Sequence, residues 1–174
     1  VKLLGFNADS PAYLYETALA QYETLKANGI DEEAQFNEVY KKISENFKRL
    51  ITLFDDTSEF EERYDDWSIL FSSLAENEED ERAVQFLRQM ADDAGFNTGF
   101  EYLQNTNLSE DGISDSEDNE YEYWYKHYKW EKMSYNEPEL LTTLTNIMNN
   151  QKAIILNPAY TAVFEAKGII KVLK

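Results

Sequence analysis

The chain has 174 residues, 43% apolar and 14% aromatic, and its 34 acids against 16 Lys and Arg give a formal charge of −18. That length suits a domain able to bury a core, and the apolar content excludes a disordered acidic tail. The charge argues against direct contact with DNA, RNA or an anionic membrane, each of which would repel it, so charged partners should be basic.

Cysteine is absent, which removes disulfides, thiolate metal sites and thiol nucleophiles and fits a cytoplasmic setting. The first residues do not form a secretory signal, and no apolar run approaches the ~20 residues that span a bilayer. The acidity is regional. Between Asp55 and Glu122 stand 22 acids and only Arg63, Arg82 and Arg88; the remainder is nearly neutral. A surface charged only for solubility mixes its signs, whereas a single-sign block points to a functional field.

In chain order, Ser10-Pro11 starts a first helix carrying Leu14, Ala18, Tyr22 and Leu25, and Asn28-Gly29 stops it. A second runs from Asp31 with Phe36, Val39, Tyr40, Ile43, Phe47, Leu50, Ile51 and Phe54 at helical spacing. A third opens on a capping box at Ser58 and Glu61 and places Phe60, Tyr64, Trp67, Leu70, Phe71 and Leu74 on one face. The fourth starts near Asn77 with "EEDE" in its first turn, where acids suit the helix dipole; Val84, Leu87, Met90, Ala91 and Ala94 face inward, and Gly95 ends it. "NLSEDGISDSEDNE" reads as an acidic loop. Tyr121, Tyr123 and Tyr125 alternate as in a strand, although a helical face fits the same stretch. "EPELLTTLTNIMNN" is a helix, and "KAIIL", "AYTAVFE" and "GIIKVL" read as three strands.

The expected fold is therefore α+β. An antiparallel bundle of about four helices precedes a small C-terminal antiparallel sheet with one helix. The expected division is a helical region over 1–108, an acidic loop or linker over 109–120 and a small α+β region over 121–174, separate or continuous.

Most familiar chemistries find no motif. Counted from Asp111, a calcium loop would need a ligand at Ile113 and glycine at Ser116. His127 is the only histidine and has no histidine partner for a metal and no Gly-x-Ser-x-Gly elbow, so it reads as a surface or strand residue. No Gly-rich loop cradles phosphate. Glu165-Ala166-Lys167 superficially resembles the Glu-x-Lys half of a PD-(D/E)xK nuclease motif but lacks the preceding aspartate. No catalytic residue, cofactor or metal is expected.

What remains is interaction. In size and composition only, the chain is similar to small acidic decoys among anti-restriction, anti-CRISPR and immunity proteins. The expected function is a non-enzymatic module that blocks a basic partner surface such as a nucleic-acid-binding enzyme or toxin. Glu59, Glu62, Asp65, Asp66, Glu78, Glu79, Asp80, Asp115, Glu117 and Asp118 would steer the partner, and Tyr123, Trp124 and Tyr125 would anchor it. An assembly subunit, with homo-oligomerisation through a strand edge, is the first alternative. An enzyme of unrecognised type is the second.

Overall fold

A computed structural model describes residues 8–35, 38–54, 66–166 and 168–172. After a π-helical turn at Glu16–Ala20 comes α1 (Gln21–Ala27), which ends at Gly29 with φ 63°. α2 (Val39–Phe54) follows; Phe36 of the expected second helix lies outside the described residues. So does the first half of the expected third helix, 58–65.

The described remainder of that third helix is a strand. β1 (Ser68–Ser73) reads SILFSS, and all six residues are buried. Trp67, Leu70, Phe71 and Leu74 do fall at helical spacing, but an unbroken apolar run buried on both faces is the mark of a strand inside a parallel sheet. Asn77 then caps α3 (Glu78–Asp92), its side chain accepting from the amides of Glu79 at 3.1 Å and Asp80 at 3.2 Å. Gly95, at φ 106°, lets the chain leave this helix. β2 (Asn97–Tyr102), β3 (Asn107–Ser109), β4 (Gly112–Ser114), β5 (Glu120–Tyr121) and β6 (Tyr123–Lys126) succeed one another. The end of the chain holds α4 (Trp130–Asn136), α5 (Pro138–Asn149), β7 (Ile154–Ile155), α6 (Thr161–Glu165) and α7 (Ile169–Val172). "AYTAVFE" and "GIIKVL" thus contribute short helices rather than the expected strands.

The strands order as β2-β1-β6-β7, and every pairing is parallel. The fold is α/β, which overturns the expected antiparallel helical bundle with a small antiparallel sheet. One face packs Ile69, Phe71, Tyr123 and Tyr125 against Val84, Leu87 and Met90 of α3 and Phe47 of α2. The other packs Leu70 and Trp124 against Trp130 and Met133 of α4 and Leu144 and Ile147 of α5. Helices on both faces explain why β1 and β6 carry no polar alternation.

The expected acidic loop is an antiparallel three-stranded sheet, β3-β4-β5, and the 9%-exposed Asp115 organises its last turn. Its carboxylate accepts from the amides of Glu117 at 2.9 Å and Asn119 at 3.0 Å and from the Tyr121 hydroxyl at 3.0 Å. That tyrosine explains Gly99. A Cβ at position 99 would meet the Tyr121 ring, with Cε1 only 2.8 Å away. Gly99→Ala should therefore cost roughly 1–3 kcal/mol in chemical denaturation. A loss below about 0.5 kcal/mol would mean that the ring moves aside freely.

Candidate functional site

Because all four strands of the larger sheet are parallel, their carboxyl ends share one edge: Ser73 of β1, Tyr102 of β2, Lys126 of β6 and Ile155 of β7. β1 connects to β2 on one side and neighbours β6 on the other. The order therefore reverses between β1 and β6, where an open α/β sheet leaves a crevice for ligands. The residues at that point are unusually polar for their burial. Asp9, Ser72, Ser73, Lys126 and Asn157 are all buried, and none is more than 6% exposed.

Two networks share this edge. On the α4 side, Asp9 Oδ2 accepts from the Trp130 amide at 3.0 Å, and its Oδ1 accepts from Asn157 Nδ2 at 3.0 Å. Lys126 Nζ donates to the Tyr128 carbonyl at 2.5 Å and lies 4.0 Å from the centroid of the Trp130 ring. Burial pushes its pKa down from 10.5 to about 8, opposed by the charge of Asp9. Lys129 Nζ bridges to Glu165 at 3.2 Å.

On the α3 side, His127 Nε2 lies 3.0 Å from Asp80 Oδ1. Tyr125 stands beside them, and burial, with the charges of Asp9 and Asp80 adding, holds its phenol neutral well above the usual range. Outside Asp80 opens a groove of about 1100 Å³. Glu16, Glu78, Glu79 and Glu81 line it together with Asp80, Tyr13 and Tyr15. Tyr13 and Tyr15 are 69% and 47% exposed.

The residues expected to bind a partner are dispersed. Glu59, Glu62 and Asp65 lie outside the described residues. Glu78, Glu79 and Asp80 form the first turn of α3 at the carboxyl edge. Asp66 is at the opposite, amino edge, where its amide donates to Glu122 at 3.1 Å. Asp115, Glu117 and Asp118 belong to the turn between β4 and β5. Tyr123, Trp124 and Tyr125 are core, at 1%, 0% and 9% exposure, so the rings fill the sheet's two faces. Asp9, Ser73, Lys126, His127 and Asn157 were not singled out as site residues by sequence reasoning. The available signal was positional: Ser72-Ser73, Lys126-His127 and Asn157 each follow an apolar strand run directly.

A parallel sheet flanked by helices, with buried polar groups gathered at its switch point, defines an α/β domain whose polar core lies where open α/β sheets in general carry ligand sites. Over residues 1–174 the chain matches the family model described as Glutathionylspermidine synthase preATP-grasp, and it belongs to that family. Family membership overturns the expected non-enzymatic acidic inhibitor. The chain is an enzyme-family domain of ligase type, not a DNA mimic, an immunity protein or an anti-defence decoy. Regional charge misled because a negative field serves a cationic ligand as readily as a basic protein. Among the described residues, no helix is long and apolar enough to cross a membrane.

Proposed function

We propose that the chain is part of a ligase-type enzyme that joins the carboxylate of a glutathionyl group to an amine of spermidine, the pair that the family description names. The observation that carries this reading is the acidic groove beside α3. Glu16, Glu78, Glu79 and Asp80 line it with exposed Tyr13 and Tyr15, and Arg82, its one lining cation among the described residues, is paired with Glu78 at 3.1 Å. Carboxylates attract the ammonium groups of a polyamine, while tyrosine faces suit both its methylenes and its charge. The same first turn repels phosphate, because four successive acids there cancel the helix dipole's attraction for anions. The groove is thus no cradle for a nucleotide. A cysteine-free chain suits the reducing cytoplasm in which glutathione works.

Calorimetric titration with spermidine at low salt tests the assignment. Glu78→Gln with Glu79→Gln should weaken binding roughly two- to fivefold per charge removed, with a shallower salt dependence. Asp118→Asn with Glu120→Gln, away from the groove, should leave affinity unchanged. Equal losses from both double variants would show only a diffuse field, and the groove assignment would fall.

A further inference from the structure

The carboxyl ends of β6 and β7 also open on a pocket of about 460 Å³. The segment 8–14 forms one wall, and Val39 and Ile43 of α2, Leu87 of α3 and Leu156 form the others. Asp9 pins that segment to the sheet edge through the Trp130 amide and Asn157. At Tyr13 the backbone turns with φ 65°, a left-handed conformation that a tyrosine keeps only when its surroundings hold it. Ala12 and Tyr13 line both this pocket and the acidic groove, so the two spaces share that turn as a rim. Among the described residues, no acid or base lines the pocket. Its buried polar group is Tyr125, 9% exposed, whose ring packs 5.8 Å from that of Phe71. The Tyr125 hydroxyl makes no hydrogen bond among the described residues. Unlike Ser73 Oγ, it is not sealed away without a partner, so it opens on the pocket that its residue lines. An open, unpartnered hydroxyl among apolar walls is a seat for one polar atom of a ligand. Burial, with the charges of Asp9 and Asp80 adding, keeps the phenol neutral. Those two carboxylates also set the field at the hydroxyl, which repels an anion and favours a nitrogen.

We propose that this pocket seats an alkylamine arm of a polyamine: the methylenes lie against Leu14, Ile43 and Leu87, the terminal nitrogen meets Tyr125 Oη, and the rest of the molecule passes Ala12 and Tyr13 into the acidic groove. A phenol suits either form of that nitrogen, because its oxygen accepts from an ammonium and its hydrogen is donated to a free amine. The two spaces then read different features of one ligand. The groove reads positive charge, while the pocket reads the methylenes between charges, since each CH₂ taken from water against the leucines and isoleucine adds to affinity. The identity of the ligand rests on the polyamine reading; the pocket and its open hydroxyl do not.

The test is a titration of the full chain, carrying ¹³C-labelled Ile and Leu methyls, with n-butylamine, which has one arm and no second charge. The methyls of Ile43 and Leu87 should shift, whereas n-butyrate, of equal length and opposite charge, should leave them unmoved. Tyr125→Phe keeps the ring and removes a hydroxyl that bonds to nothing in the chain. It should melt at the parent's temperature or above, yet bind n-butylamine roughly three- to tenfold more weakly. Thr17→Phe, which fills the pocket from the first helical turn, should abolish the shifts. Equal responses to the two ions would reveal an apolar hollow with no preference for an amine, and unchanged affinity in Tyr125→Phe would take the hydroxyl out of the site; either result overturns the proposal. Spermidine separates this inference from the reading it rests on. It should shift the same methyls, and Glu78→Gln with Glu79→Gln should weaken it more than n-butylamine. If spermidine depends on those acids but leaves Ile43 and Leu87 unmoved, the polyamine reading stands and the pocket assignment falls. If n-butylamine behaves as expected and spermidine ignores the acids, the pocket stands as an alkylamine site and the polyamine reading falls.

Discussion

Trp124→Ala should lower the melting temperature by about 10–20 °C, because it removes roughly 3–5 kcal/mol from a total of about 5–15. The indole is fully buried in the core between the sheet and α4–α5, and its Nε1–H donates to Ser72 Oγ at 2.9 Å. Truncation opens a cavity in the middle of the sheet and takes a donor from a buried hydroxyl, and both effects act in the same direction. Tyr13→Ala is the informative contrast. That ring is 69% exposed beside the groove, so the melt should barely change while polyamine affinity falls. If Trp124→Ala melted within about 2 °C of the parent protein, the ring would not be core and the two-layer packing around β6 would be wrong.

The two tryptophan and tyrosine sites show what the sequence could and could not convey. α2, α3 and α5 were legible because each carries a one-sided apolar stripe long enough to establish the helical period. The Asn77 cap and Gly95 stop of α3 fell where their local chemistry requires. β1 was not legible, since Trp67, Leu70, Phe71 and Leu74 satisfy a helical spacing and a strand buried on both faces has no alternation to contradict it. Tyr121–Lys126 did alternate, but its burial on both faces comes from helices that arrive from 78–92 and 130–149, and periodicity carries no information about distant partners. Parallel pairing is non-local in the same way: nothing in residues 68–73 names 97–102 and 123–126 as neighbours. The charge was legible as a field but not as a place. Of the acids expected to steer a partner, the described ones divide among the first turn of α3, the β4–β5 turn and the amino edge of the sheet, and only the first group borders the switch point. His127 reads as an isolated histidine until α3 brings Asp80 to within 3.0 Å of its Nε2.

Stability should rise as pH increases from about 8 toward 10, opposite to the behaviour of most acidic chains left with only surface groups. The cause is Lys126, whose pKa burial lowers from 10.5 to about 8 in the folded state. Between those two values the unfolded chain binds the proton that the folded chain has released, so unfolding free energy increases with pH. The increase is about 1.4 kcal/mol per pH unit at most, or on the order of 3 kcal/mol across the window. Below pH 8 both states hold the proton and the full burden of a buried ammonium remains. Tyrosines limit the rise. Burial, with hydrogen bonds to Asp93 and Asp115 respectively, raises Tyr40 and Tyr121 from 10.0 to about 12. The unfolded chain therefore sheds phenolic protons first above pH 10, and stability is lost as pH climbs toward 12. The expected profile peaks near pH 10. Lys126→Met should remove the rising limb and leave the falling one. At pH 7 the variant should be as stable as the parent or more so, because a thioether of similar length needs no desolvation. Denaturant midpoints at half-unit intervals from pH 7 to 11.5 would show it. A rising limb that survives in Lys126→Met would place the titration on another group, and a flat parent profile would mean that the ammonium is solvated rather than sealed against Trp130.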